Sequence, residues 1–354
     1  MKKYPKDQFF DENLNAQRNW DEYLLKTAKE EAQKDPHPHL PIDQFIEDNT
    51  IPSFSTEEEE EEDFTTELWY SNDSFLNTIM LHFIDNVDEK TRHELRKFFI
   101  GKLGPQKSPN AEARNRKPEI DEGYLITYNF TLDFGISRLT EVYASYIHYK
   151  GHIGEYKKQL GELLLNNYMM LFNLEKFNPA YKRNLPVHIQ EQYNESSYKH
   201  YFGATAFVVA HEIGHHLLKH TVVKEDSMMI TYKNDFIDKI GTNIDHEYEF
   251  AADDFAVDFF LKDKRYELYN KERKIDLNYL TSPLYVMLAL ALDTNDPTAV
   301  DGDHPPIRDR YLKLLSKLSN YCTEGEIKLL KEIFRDIVQG IQDMYKPWIK
   351  VWWE

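Results

Sequence analysis

The segment His211-Glu212-Ile213-Gly214-His215 sets two imidazoles four residues apart, with a carboxylate beside the first. On an α-helix, residues four apart share a face and lie about 6 Å apart along the axis, so both rings can grip one zinc ion. Glu212 then stands next to that ion and can act as general base toward a water. The apolar Ala206, Phe207, Val209 and Ala210 ahead of it fit a buried helix. A hydrolytic zinc site takes three protein ligands and keeps a fourth position open. The run DHEYEFAADDFAVDFF offers the third: it opens at Asp245, a good N-cap, and carries Glu249, Ala252, Asp253 and Ala256 on one helix side. Small alanines let this helix approach the first. Glu249 is placed to ligate zinc, and Asp253, one turn on, to bond the outer nitrogen of a ligand histidine. Glu247 points off this face and reads as a surface residue. His216, His220 and His246 are the other candidates for the third ligand, although His216 points away from the His211/His215 face and His220 lies past the turn.

A third segment, DGDHPPIRDRYLKLLSKL, enters a helix at Pro305 and Pro306, with Ile307, Tyr311, Leu314, Leu315 and Leu318 as its buried stripe. His304 just outside that helix and Arg310 within it could face a cleft; on periodicity alone they read as a loop histidine and a surface arginine. Ahead of these segments, LPVHI (185–189) alternates apolar residues with a period of two and predicts a short strand, a candidate for pairing with extended substrate. FLNTIMLHFIDNV and LLLNNYMMLFNLEKF read as buried helices, GKLGPQKSPNAEARNRKP as a loop, and YLITYNFTLDF as either strand or helix. After the third segment, Thr323 with Glu326 forms a capping box, and Ile327, Leu330, Phe334, Ile337 and Ile341 follow on one face. The closing PWIKVWWE, with its three tryptophans, reads as core packing or a docking surface.

The chain has 354 residues, of which 41% are hydrophobic and 14% aromatic, enough for a real core. Asp plus Glu number 61 against 43 Lys plus Arg, a net charge of −18 that would repel a phosphate backbone, so no nucleic-acid partner is expected. The lone Cys322 excludes an intrachain disulfide and a thiolate zinc cluster. The start lacks the apolar stretch of a secretory signal, and no run approaches the ~20 apolar residues of a membrane span, so a soluble, cytoplasmic protein with no membrane partner is expected. Three regions follow. Residues 1–63 form a polar arm, rich in proline over its second half and ending in the acidic run Glu57–Asp63. That arm reads as a solvated linker, or else as a segment folding over a cationic cleft. Residues 64–180 form a helical accessory region, and 181–354 hold the chemistry with a C-terminal helix. The fold class expected is α+β, predominantly helical.

AHEIGHHLLKH, EFAAD and HPPIRDR, in this order, resemble the zinc helix, the E-x-x-A-D third-ligand helix and the downstream H-P-P-x-x-x-R motif of gluzincin metallopeptidases. The pattern is that of the CAAX prenyl-protease and HtpX-like family with its soluble relatives, and the soluble phage-exclusion Lit-type peptidases carry a similar set. The resemblance spans roughly residues 200–318. It implies a gluzincin-like zincin core with a small sheet and added helices, and one zinc ion per chain. It makes His211, His215 and Glu249 the metal ligands, Glu212 the general base and Asp253 a support of a ligand. His304 and Arg310 would stabilise an oxyanion or hold Glu249. The implied activity is a soluble zinc endopeptidase acting on a protein or peptide, either a narrow-specificity defence or toxin-like protease or a housekeeping one. A zinc-stabilised interaction module is the non-catalytic alternative, which an intact Glu212 argues against. The membrane helices of the prenyl-protease members have no counterpart here, and the substrate, activation trigger and oligomeric state stay open.

Overall fold

A computed structural model describes residues 74–103, 109–113, 124–171, 180–221, 244–264, 276–293, 298–299 and 304–344. The arm (1–63), the expected loop at 104–108 and 114–118, and the terminal tryptophans lie outside the described residues. Compactness divides the chain into two units, Met1–Thr131 with His215–Phe236, and Leu132–Gly214 with Ile237–Glu354.

In the first unit, helix α1 (Ser74–Asn86) buries Leu76, Ile79, Met80, Phe83 and Ile84, the spacing of one apolar face. Asp88 then caps α2 (Glu89–Leu95) by accepting from the Thr91 N–H at 2.9 Å, and Arg92 Nε ties it to the Ile84 carbonyl at 3.0 Å. Three strands follow: β1 (Phe98–Leu103), β2 (Ala111–Ala113) and β3 (Tyr124–Asn129), in the order β1-β3-β2. β1 runs parallel to β3 in the register Phe98↔Tyr124, and β2 runs antiparallel to it with Ala111↔Tyr128. The described residues of the 64–180 region are mostly helical, and these three short strands are what its helical reading left out. The segment taken wholly as a loop begins inside β1 and contains β2. YLITYNFTLDF is both of its alternatives, a strand to Asn129 and a helix from Phe130.

The second unit is helical. α3 (Phe130–Gly151), α4 (Lys157–Met170), the short α5 (Ala180–Arg183) and the long α6 (Val187–Leu217) are followed by α7 (Ile244–Lys264), α8 (Leu277–Asp293), α9 (Ile307–Leu318) and α10 (Glu324–Met344). Together with the sheet this is an α+β, predominantly helical fold. No strand forms at LPVHI. Leu185 precedes α6 and Ile189 lies in its first turn, where the Ile189 and Gln190 N–H groups bond the Pro186 carbonyl at 3.0 and 2.9 Å. Leu185, Ile189 and Tyr193 are four apart and pack in one cluster with Ala144, Leu160 and Leu163, whereas Val187 is 70% exposed. The apolar period is therefore that of a helix, and strand addition at this segment is ruled out.

As far as Gly214, α6 belongs to this unit and buries Ala204, Ala206, Phe207, Val209, Ala210 and Ile213. At Gly203 it comes so close to α8 that a Cβ would sit 2.9 Å from Ser282 Cβ and 3.2 Å from the Tyr279 ring. Ser282 Oγ donates to the His200 carbonyl there at 3.2 Å. α10 begins with the expected capping box: Thr323 N–H bonds Glu326 Oε2 at 2.8 Å and Glu326 N–H returns to Thr323 Oγ1 at 3.3 Å. Its face of Leu330, Phe334, Ile337 and Ile341 is buried. No helix among the described residues is long and apolar enough to cross a membrane.

Candidate metal centre

His211 and His215 ride on α6, a continuous helix of 31 residues, one turn apart. His211 and Glu212 are buried and His215 is half-buried. α7 begins at Ile244, which puts Asp245 within its first turn. One side of α7 buries Glu249, Ala252, Asp253 and Ala256, while Glu247 is exposed. The two helices meet where both are smallest: a Cβ on Gly214 would lie 3.4 Å from Ala252 Cα and 3.0 Å from the Phe255 ring. This close approach brings the α7 carboxylates to His211.

Glu249 Oε2 lies 3.4 Å from His211 Nε2, and Asp253 Oδ1 lies 2.9 Å from His211 Nδ1. Ligand atoms of His211, His215 and Glu249 all fall within 4.8 Å of one another, a group that could hold a metal ion. Donors about 2.0–2.1 Å from a tetrahedral ion stand roughly 3.3 Å apart, close to the observed His211–Glu249 separation. His216 takes no part in the group. Its ring packs on Phe98 and Tyr124, with centroids at 5.3 and 4.9 Å, and its Nδ1 bonds Thr221 Oγ1 at 2.9 Å. His220 and His246 also lie outside it.

Arg310 is buried, which corrects its reading as a surface residue. Its Nε and Nη2 donate to the two oxygens of Asp253 at 2.9 and 2.7 Å, and Nη1 lies 3.0 Å from Glu249 Oε2. The signal for its burial was in the sequence: Arg310 is three residues after Ile307 and four before Leu314, on the same helix stripe. His304 is exposed, and its Nδ1 lies 3.4 Å from Glu249 Oε1. One contact had no expectation behind it: His220 Nδ1 lies 3.1 Å from His215 Nδ1.

The electrostatics follow from burial. Desolvation opposes charge on each group, yet the partners prevail. Asp253 is held below the usual carboxylate range by Arg310 and His211, and Arg310 is raised by Asp253 and Glu249. Burial would lower the His211 pKa, but Asp253 and Glu249 outweigh it and lift the imidazole to about 10. With Glu212, Glu249 and Asp253 ionised and Arg310 protonated, these four buried groups sum to two negative charges. A divalent cation offsets that sum, and two imidazoles with one carboxylate are a donor set that zinc accepts.

Residues 155–327 match the Peptidase U49 family. The matched stretch is just under half of the chain and contains all of His211, Glu212, His215, Glu249, Asp253, His304 and Arg310. The match supports a peptidase, and with it a protein or peptide substrate. No curated protein and no solved structure matches the chain.

Proposed function

We propose that the chain is a zinc-dependent endopeptidase of the HExxH gluzincin type, with His211, His215 and Glu249 as metal ligands. The observation that carries the reading is that donor atoms of these three residues lie within 4.8 Å of one another, beside a buried glutamate, inside a stretch similar to a peptidase family. A zinc ion bound there supplies Lewis acidity, bringing the pKa of a water to about 7 and polarising the scissile carbonyl. Glu212, adjacent to His211 on α6, takes a proton from the attacking water. It hands that proton to the amide nitrogen as the C–N bond breaks, so one water is consumed and a carboxylate and an amine leave. Asp253 and Arg310 do not touch substrate in this scheme. Asp253 orients His211 through Nδ1, and Arg310 fixes Asp253 and Glu249 together. His304, exposed with its Nδ1 3.4 Å from Glu249 Oε1, would turn toward an oxyanion or steady Glu249.

The finer reading, a narrow-specificity protease of the defence type, is supported by the motif resemblance and by the 154 residues ahead of the family match. Glu212→Gln tests the mechanism. New protein N-termini are compared in cells expressing the wild type or the variant, and zinc content is measured on the purified chains. The variant is expected to keep its zinc and lose turnover by about 10²–10⁴-fold, the size of a general base. One dominant cleavage absent from the variant supports narrow specificity, while many scattered ones favour housekeeping. Equal cleavage by both proteins refutes the role of Glu212.

A further inference from the structure

The end of α6 is built unusually. Lys219 has φ of 64°, in the left-handed region, the only non-glycine so placed among the described residues. Its N–H bonds the His216 carbonyl at 3.0 Å, and the next N–H, of His220, returns to the His215 carbonyl at 2.8 Å. These two bonds are the Schellman pair that closes many helices, and its left-handed position is normally glycine. A lysine there costs about 1–2 kcal/mol of backbone strain. The motif folds the residue after it back onto the one five earlier, usually through an apolar contact. Here those two residues are His220 and His215, and the contact is polar. Their Nδ1 atoms are 3.1 Å apart, with the rings edge-on at 74° and centroids 5.1 Å apart.

Two facing Nδ1 atoms share one proton, so one ring donates and the other accepts. Where His215 gives its Nε2 lone pair to a metal, its Nδ1 carries the hydrogen and must be the donor. His220 is then the acceptor, with its own hydrogen on Nε2. Resting on the metal-site reading above, we propose that His220 is the positioning residue of His215. It accepts the Nδ1 hydrogen and so fixes the tautomer and the ring rotation that present Nε2 to a divalent metal. The site thereby supports its two imidazoles differently, His211 through a carboxylate that Arg310 neutralises and His215 through a neutral ring. A third supporting carboxylate would have deepened the negative charge, whereas a neutral imidazole leaves it unchanged.

The test uses the full chain and zinc alone. Zinc affinity is measured by competition with a chelator for the wild type, His220→Phe and His220→Asn, and the visible spectrum of each cobalt-loaded protein is recorded. Phenylalanine keeps the ring but has no acceptor, while the asparagine carbonyl can take the place of Nδ1. The expected result is a 10–100-fold loss for His220→Phe with a changed cobalt spectrum. His220→Asn should stay within about threefold of the wild type, the acceptor being kept. Thermal unfolding without metal separates this from a folding defect, and Lys219→Gly, which relieves the strained turn, should bind zinc as the wild type does. Wild-type affinity in His220→Phe overturns the proposal and leaves the metal centre standing, as does an equal loss in the Phe and Asn variants. A loss as large as that of His211→Ala makes His220 a ligand and overturns it too. A wild type that binds no zinc overturns both this proposal and the metal centre.

Discussion

Replacing Arg310 with methionine keeps most of its apolar stem but removes the guanidinium that reaches Asp253 at 2.7 and 2.9 Å and Glu249 at 3.0 Å. Both carboxylates are buried, at 2% and 7% exposure, so water cannot replace the lost donors without entering the helix packing. Breaking a buried pair from one side typically costs about 3–5 kcal/mol, because the remaining charge stays desolvated. For a chain of 354 residues each kcal/mol lowers the melting temperature by about 1–2 °C, so the metal-free Arg310→Met variant should melt about 3–10 °C lower. Arg310→Lys should fall between the two, since one ammonium carries the charge but cannot serve two carboxylates with a planar fork. The double variant Arg310→Met/Asp253→Asn isolates the pair. With both charges gone it should lose less than the two single variants summed, by about 1–3 kcal/mol. Chemical and thermal unfolding with a chelator present give all four corners of the cycle. A loss below ~1 kcal/mol for Arg310→Met, the size of an exposed pair, would refute the claim that Arg310 braces a desolvated site.

Two further perturbations probe separate parts of the fold. Gly214→Ala gains about 1 kcal/mol of helix propensity but presses a methyl against Phe255 and Ala252, an overpacking of about 1–3 kcal/mol. It should therefore be neutral to destabilising, with weaker zinc binding because Glu249 rides on the displaced helix. Wild-type values for both melting and zinc affinity would sink that account. His200 is fully buried and stacked on Tyr143 at 3.9 Å, and burial pushes its pKa down to about 3. The unfolded chain takes up a proton near 6.5 that the folded ring refuses, so this group's effect is absent above pH 6.5. It then destabilises the fold progressively as pH falls toward 3, by up to ~1.4 kcal/mol per unit. His200→Phe keeps the ring stack and should flatten the fall in stability between pH 6.5 and 4.5, measured by urea unfolding. Parallel curves for the two proteins would mean the buried ring is not the source.

Local patterns were legible and long-range ones were not. The helix that carries His211 and His215, its partner α7 and the capping box of α10 were readable because each depends on residues within one or two turns. LPVHI misled because Leu185, Val187 and Ile189 satisfy a period of two and also, through Leu185 and Ile189, a period of four. Pro186 at the helix entrance decides between them, being suited to a start and unable to donate within a ladder. The β1-β3-β2 sheet was hidden because its strands are short and its parallel pairing joins Phe98 to Tyr124 across an intervening strand. Periodicity alone read Arg310 as a surface residue, although its place three residues after Ile307 and four before Leu314 puts it on the α9 stripe, and its burial against Asp253 and Glu249 corrects that reading. The His215–His220 contact left no trace at all, since a lysine in the left-handed position is not the residue that announces such a turn.

The arrangement of charge ties these observations together. Asp253 and Glu249 are on the same face of α7, one turn apart, a pairing that would be unfavourable in a buried helix standing alone. Arg310 makes it tolerable by bridging both, and this frees Glu249 to offer an oxygen to His211's side of the site while Asp253 faces the other nitrogen. One arginine does not neutralise three buried carboxylates, and the remaining deficit has two possible occupants. A proton on His211 is one, which is why its imidazole is lifted to about 10. A divalent cation between His211, His215 and Glu249 is the other, and it needs the same nitrogen unprotonated. Protonation and metal binding are thus alternatives for one position, and the α7 carboxylates with Arg310 set the field in which they compete.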